Sequence, residues 1–250
     1  NAGIGAKQTD PRKIFTTLKR DARFKRPLDE QADVLDAWYA RRKAKDLTLK
    51  MNTGGGKTVV GLLCLQSSLN ENIKPAVYIT PDSFLVNQVL HEAKELGIPA
   101  TDDEKDPDFL AGRAILVANV WKLFNARSVF GVGQKKIPIG CVVVDDAHAC
   151  LGVVHDQFSI KADVGTPVYD GLLNLFENDL ENQSPAGLLD VQALDPSIVM
   201  EVPYWAWQSH QKQVIELLHT QRASADLEWS WPLLRDCIPL CTCLFGGGKL

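Results

Sequence analysis

The sequence predicts an α/β fold in which helices flank a parallel sheet, with a mostly helical insertion. Short runs rich in β-branched and aromatic residues, which are typical of buried strands, recur along the chain. Between them lie segments whose apolar residues recur at helical spacing. Strands that alternate with helices in this way need right-handed crossovers, and such crossovers produce a parallel sheet.

Composition sets the class of protein. The 250 residues carry a net charge of −4, and 45% of them are hydrophobic, which is enough for a sizeable core. No apolar run approaches the roughly eighteen residues of a membrane span, and no charged-then-apolar leader precedes the fold. We therefore expect an intracellular protein, cytoplasmic or nuclear, with no membrane partner. The chain starts on Asn1 and stops without a polar tail, so we expect it to be a piece of a longer protein.

Cysteines and charge add two further expectations. The six cysteines lack paired C-x-x-C spacing, which favours buried, reduced thiols over a zinc site. Residues 1–50 contain 13 Lys and Arg against 7 Asp and Glu, whereas the remainder contains 14 against 24. A basic segment on an acidic body can contact a phosphate backbone, although a solvated helix face explains the same pattern equally well.

The first strongly patterned helix follows Pro27, where apolar residues from Leu28 to Tyr39 recur at helical spacing. It places Gln31 in its first turn. An amide at this position can read the edge of an adenine, because it donates to a ring nitrogen and accepts from the amino group. The alternative is an ordinary surface glutamine, which is the more common role of a helical Gln.

A glycine-rich stretch, LTLKMNTGGGKT, occupies residues 47–58. Its apolar alternation predicts a strand over 47–51, and the apolar run after Thr58 predicts a helix. Gly54, Gly55 and Gly56 let backbone N–H groups turn towards an anion, and the helix dipole points at the same place. Lys57 would then contact the β- and γ-phosphates of a nucleotide, and the Thr58 hydroxyl would bind Mg²⁺. The alternative is a chance glycine turn before a helix.

Three buried strands are predicted after this loop, over residues 75–81, 113–119 and 140–146. A helix capped by Asp82 or Ser83 and ended by Gly97 follows the first strand. A shorter helix over residues 120–125 follows the second strand. The pattern therefore alternates strand and helix up to residue 146.

The last of these strands delivers acidic residues at its carboxyl end, where ligands bind in open α/β sheets. Asp145 is predicted to hold Mg²⁺ directly or through water. Asp146 is predicted to orient or deprotonate the water that attacks the γ-phosphate, and His148 to sense the result. The alternative is an acidic turn that caps the following helix.

Together these motifs resemble the superfamily 2 helicases and translocases, in their first RecA-like lobe, over about residues 24–150. MNTGGGKT resembles motif I, and DDAH resembles motif II in its DEAH form. ITPDSFLVNQ is similar to motif Ia, and ILVANVWKLFN to the following region, which touches the nucleic-acid backbone. The resemblance implies a P-loop NTPase (RecA-like) fold with ATP and Mg²⁺ as cofactors and DNA or RNA as partner. It also assigns Gln31 to adenine and the loop from Thr53 to Thr58 to the nucleotide.

The chain departs from the family pattern in three ways. Asp146 stands where the family usually has Glu, so the attacking water is expected to lie farther from the base and turnover to be slow. A Ser-Ala-Thr-like motif III does not follow motif II, and the second RecA-like lobe is missing. Because the resemblance implies that ATP binds between two lobes, we expect this chain alone to bind nucleotide and to hydrolyse it weakly.

Residues 1–150 are therefore predicted to form an N-terminal segment and the ATP-binding lobe, and residues 151–235 a helical insertion. Residues 236–250 are predicted to contain a strand that returns to the same lobe. Within the insertion, Tyr204, Trp205 and Trp207 can stack on nucleic-acid bases, although a small aromatic core is the more common arrangement.

The function predicted from the sequence is the ATP-binding lobe of an ATP-dependent nucleic-acid helicase or translocase. Two alternatives remain open. The chain can be a nucleotide-regulated binding module without efficient turnover, or the motor part of a restriction or phage-defence nuclease with partner subunits.

Overall fold

The computed structural model describes residues 7–132, 136–224 and 227–246. These residues form two compact units. The first comprises residues 7–123, 129–131 and 136–153, and the second comprises 124–128, 132 and the described residues from 154 onwards. In the part of the chain that the structure describes, no helix is both long and apolar enough to cross a membrane.

The first unit is an α/β unit. Its helices are α1 (Pro11–Thr17), α2 (Asp29–Arg41), α3 (Lys57–Asn70), α4 (Ser83–Leu96), α5 (Pro107–Leu110) and α6 (Val120–Leu123). Its strands are β1 (Ala76–Thr80), β2 (Ala100–Thr101), β3 (Ile115–Asn119) and β4 (Cys141–Val144). Helix α7 (Ala147–Gln157) begins in this unit and ends in the second.

The four strands form a parallel sheet in the order β2-β3-β1-β4. Strand β1 lies between β3 and β4, and all five of its residues are buried, which explains its uninterrupted run of apolar and β-branched residues. The predicted α/β fold with a parallel sheet flanked by helices is confirmed.

Helix α4 begins and ends as the sequence predicts, and helix α3 begins where the sequence predicts. Helix α3 begins at Lys57 and buries most of its apolar residues, so it is packed inside the unit rather than lying on its surface. The Asp82 side chain caps α4 by accepting a hydrogen bond from the backbone N–H of Leu85 (2.9 Å). Gly97 ends α4 at a φ of 73°, which favours glycine.

The strand predicted over residues 47–51 is wrong: these residues have no regular secondary structure. Their alternation could form a strand only beside a neighbour that accepts and donates ladder hydrogen bonds. Strand β1 already has neighbours on both sides, and β4 forms one edge of the sheet, where Val142 and Val144 are exposed. No described residue pairs with that edge.

The second unit is mostly helical. Its helices are α8 (Pro167–Gln183), α9 (Pro185–Gln192), α10 (Tyr204–Ser209), α11 (Gln211–Thr220) and α12 (Trp231–Leu234), with a 3₁₀ turn at Ile238–Leu240. Two short strands, β5 (Val199–Glu201) and β6 (Leu244–Gly246), pair in antiparallel fashion.

The predicted return of residues 236–250 to the parallel sheet is wrong for its described part. Strand β6 pairs with β5 in a separate two-stranded sheet. Phe245 on β6 is fully buried and contacts the ring of Tyr169 edge-on, at 5.6 Å between centroids. The apolar side chains of this segment therefore complete the core of the second unit. Residues 247–250 lie outside the described residues.

The aromatic residues near α10 have different environments. Trp207 is buried, stacks on Phe176 and donates from Nε1 to the carbonyl of Ile238 (2.9 Å), so it belongs to an aromatic core. Tyr204 and Trp205 remain exposed at 72% and 73%, and they are the two aromatics of this segment that are free to stack on a ligand.

All six cysteines are free. Three are buried, as predicted, and the other three are only half-buried.

Candidate nucleotide-binding site

The glycine loop before α3 has the backbone geometry of an anion cradle. Gly54 and Gly56 have φ values of 81° and 74°, a conformation that favours residues without a Cβ. A Cβ at Gly56 would collide with the Nε2 atom of Gln31. The positive φ therefore favours glycine at both positions, and the nearby Gln31 side chain leaves no room for a Cβ at Gly56.

The backbone donors at the start of α3 are unused within the described residues. Gly55 donates to the carbonyl of Asn52 (3.1 Å), but no described residue accepts from the N–H groups of Gly56, Lys57 or Thr58. The N-terminus of α3 also has no side-chain cap. Unpaired N–H groups and the positive end of the helix dipole attract an anion, and the exposed Lys57 adds a full charge beside them.

Gln31 lies against this loop. It is 5% exposed, its Oε1 accepts from the backbone N–H of Leu28 (2.9 Å), and its Nε2 donates to the carbonyl of Gly56 (3.3 Å). An amide has two donor hydrogens and two acceptor lone pairs, so one of each remains for a base. The structure places Gln31 against the glycine loop, and its contact with adenine stays a prediction.

Asp145 lies directly after β4, and its backbone N–H extends the ladder by donating to the carbonyl of Ile79 (2.8 Å). Its Oδ2 accepts a hydrogen bond from the hydroxyl of Tyr78 (3.1 Å). Its Oδ1 accepts from the backbone N–H of Asp146 (3.0 Å). Both carboxylate oxygens are therefore held in a defined orientation.

Asp146 and His148 are both exposed. Asp146 has a φ of 45°, and its Oδ1 is 3.4 Å from the backbone N–H of Ala149 in the first turn of α7. The capping role considered from the sequence is thus present in the structure. His148 lies in the same turn without a hydrogen bond or ion pair to any described residue, so its predicted sensing role has no contact that supports it.

Sequence reasoning missed three residues at this site, Tyr78, Glu92 and Glu30. Burial raises the pKa of Tyr78, the neighbouring Asp145 carboxylate raises it further, and the Thr58 hydroxyl acts in the opposite direction. Burial also raises the pKa of Glu92, while Arg23 and the Thr58 hydroxyl lower it. Glu30 accepts from the backbone N–H of Asn52 in the loop (3.3 Å). A tyrosine inside a buried parallel strand was the one available signal, because its hydroxyl needs a partner.

The donor set suits Mg²⁺ bound together with phosphates. Asp145 accepts a hydrogen bond from the Tyr78 hydroxyl, and the Thr58 hydroxyl lowers the pKa of the same phenol, so the two residues supply one carboxylate and one hydroxyl. Mg²⁺ sites at nucleotides commonly use one or two protein oxygens, with phosphates and water as the other ligands. No cluster of three or more His, Cys, Asp or Glu side chains in the described ranges could hold a metal alone, and this type of site does not require one.

A second feature lies at the carboxyl edge of the sheet. The side chain of Asn119, at the end of β3, donates from Nδ2 to the Ser83 hydroxyl at the start of α4 (2.8 Å). Phe84 beside them is 78% exposed. The segment that resembles motif Ia and the region that follows it are therefore in direct contact.

Comparison with known proteins adds one finding. The family model for DEAD/DEAH box helicase matches residues 29–162, which is more than half of the chain. The matched range contains Gln31, the glycine loop, the whole parallel sheet and the DDAH sequence. No curated protein and no solved structure matches the chain.

Proposed function

The chain belongs to the DEAD/DEAH box helicase family, and we propose that its first unit is the ATP-binding lobe of an ATP-dependent nucleic-acid helicase or translocase. One observation carries the proposal. The N–H groups of Gly56, Lys57 and Thr58 are unpaired within the described residues, and the Tyr78 hydroxyl orients the Asp145 carboxylate, so the unit offers donors for phosphate and a carboxylate for Mg²⁺.

Each residue has a defined part in the proposed reaction. The loop from Thr53 to Thr58 binds the phosphates through its backbone, and Lys57 contacts the β- and γ-phosphates. Gln31 contacts the adenine from its place against Gly56. Thr58 and Asp145 would hold Mg²⁺, which would neutralise charge on the phosphate oxygens. Asp146 orients the attacking water and accepts its proton, and His148 responds to the nucleotide state.

The test is ATP binding and hydrolysis by this chain, with and without single-stranded DNA or RNA. We expect a fluorescent ATP analogue to bind in the presence of Mg²⁺. We expect slow hydrolysis, because Asp146 stands where the resembled helicases usually have Glu, and faster hydrolysis when nucleic acid is added. Absence of nucleotide binding at millimolar concentration would contradict the proposal.

A second candidate function, a nucleotide-regulated binding module, is favoured by one observation. The Asp146 carboxylate, which would act as the base, already faces the N–H of Ala149 at 3.4 Å. In a binding module the nucleotide would bind with the same affinity, but hydrolysis would not respond to DNA or RNA. The response of turnover to nucleic acid therefore separates the two candidates.

We further propose that nucleic acid contacts the segment around Ser83 and Asn119 through its backbone. Polar side chains and the start of α4 face phosphate there, so sequence preference should be weak. Ser83→Glu and Asn119→Glu each place a negative charge beside a phosphate, and we expect affinity to fall about fivefold, since two charges about 4 Å apart in water interact by ~1 kcal/mol.

Binding of fluorescent single-stranded DNA and RNA at several salt concentrations measures this effect. Affinity should fall by roughly one power of salt concentration per neutralised phosphate. Asn182→Glu, on an exposed part of α8, is the matched control and should change affinity little. Unchanged affinity in both test variants would mean that nucleic acid does not bind at Ser83 and Asn119. The basic residues 1–50 would then be the next site to test.

A further inference from the structure

We propose that Tyr78 is a positioning residue for the magnesium end of the site, because its hydroxyl fixes the Asp145 carboxylate beside Thr58. This inference rests on the proposed ATP-binding function. Neither the sequence motifs nor the family match assigns a role to Tyr78.

The position of Tyr78 explains how one side chain reaches both predicted metal ligands. It lies on β1, opposite Val143 of β4, and it is 1% exposed. Its ring extends towards the carboxyl edge of the sheet, and its hydroxyl lies 3.1 Å from Oδ2 of Asp145, two residues beyond Val143. The Thr58 hydroxyl, at the start of α3, lowers the pKa of the same phenol.

Gly61 on α3 provides the space for this ring. A Cβ at Gly61 would lie 2.7 Å from Cε2 of Tyr78 and 3.1 Å from Cγ1 of Val143. Any larger residue at Gly61 would therefore displace the ring or the helix. The absent side chain allows the phenol to lie between α3 and the sheet while its hydroxyl remains at the Asp145 carboxylate.

The chemistry of a phenol suits this role. A tyrosine hydroxyl is an uncharged group that can both donate and accept a hydrogen bond. It has a single hydrogen, which it gives to Asp145, and its lone pairs can accept from Thr58. A neutral donor orients the carboxylate but leaves its negative charge for a cation, whereas a Lys or Arg would neutralise that charge. The second Asp145 oxygen is held by the N–H of Asp146 (3.0 Å).

Tyr78→Phe in the full chain tests the inference, because it removes only the hydroxyl and keeps the ring against Gly61. Binding of a fluorescent ATP analogue is measured over a series of Mg²⁺ concentrations and in EDTA. We expect the apparent Mg²⁺ affinity to fall about 10- to 100-fold, the range found when a group that orients a metal ligand is removed. Affinity in EDTA should stay the same, because the phosphate loop is intact.

Two controls make the result specific. Tyr204→Phe removes the hydroxyl of an exposed tyrosine in the second unit and should leave the Mg²⁺ dependence unchanged. In an Asp145→Asn background, Tyr78→Phe should have little further effect on the Mg²⁺ dependence, because both changes act on one ligand.

Three outcomes would overturn the inference. The first is an unchanged Mg²⁺ dependence in Tyr78→Phe. The second is an equal loss of nucleotide affinity in EDTA and in Mg²⁺, which would mean that Tyr78 only supports the fold. The third is a wild-type chain that binds no nucleotide. This third outcome would contradict the proposed function itself. It is distinguished from the first two because it is seen in the wild-type chain, without any substitution.

Discussion

Lys57→Ala is expected to reduce ATP hydrolysis about 100- to 1000-fold, the usual cost of removing one preorganised group that stabilises developing charge. Lys57 is the first residue of α3, beside the unpaired N–H groups, and its side chain is exposed. The change removes an exposed positive charge, which we propose contacts phosphate, and no part of the core. We therefore expect nucleotide affinity to fall as well, while the melting temperature without nucleotide stays the same.

Lys94→Ala is the matched control, because Lys94 is an exposed lysine in the last turn of α4. It should leave both binding and hydrolysis unchanged. If Lys57→Ala bound and hydrolysed ATP like the wild-type chain, the phosphate-loop assignment would have to be abandoned.

Asp146→Asn is expected to keep nucleotide bound and to lower the hydrolysis rate by at least about 100-fold, in the range of a lost general base. The structure indicates that this substitution leaves the local backbone and its hydrogen bond unchanged. Asn tolerates the φ of 45° at this position, and its amide oxygen can still accept from the N–H of Ala149. The cap of α7 is therefore retained, and only the ability to accept a proton is lost.

Single-turnover hydrolysis and equilibrium binding of ATP measure the two effects separately. Asp33→Asn, at an exposed position of α2, carries the same chemical change away from the site and should have no effect. Undiminished turnover in Asp146→Asn would mean that another group orients the water, and the half-buried Glu92 near Thr58 would be the first to test.

Much of the fold and of the site could be predicted from local sequence. Strand β1, helix α4 with its Asp82 cap, and the start of α3 at Lys57 are all confirmed. The resemblance to the first RecA-like lobe of superfamily 2 helicases is confirmed by the family match over residues 29–162. These features depend on residues close together in the chain, such as a cap and the N–H it accepts from.

The failed predictions all concern partners that are distant in the chain. Residues 47–51 alternate like a strand but have no neighbour to pair with, and β6 pairs with β5 because Phe245 fills the core of the second unit. Alternation determines which face of a strand is apolar, but a ladder also needs a second strand, which the local pattern does not identify.

The sequence by itself determined the glycine loop, the DDAH turn and the alternation of strands and helices, because glycine spacing and strand ends place these groups without knowledge of distant contacts. Only the tertiary structure decided what lies between them. It buries the Tyr78 hydroxyl beside Asp145 and Thr58, and it places the Gln31 amide against Gly56. Buried polar groups must find hydrogen-bond partners, and which partner each one finds depends on how the packed elements meet in three dimensions.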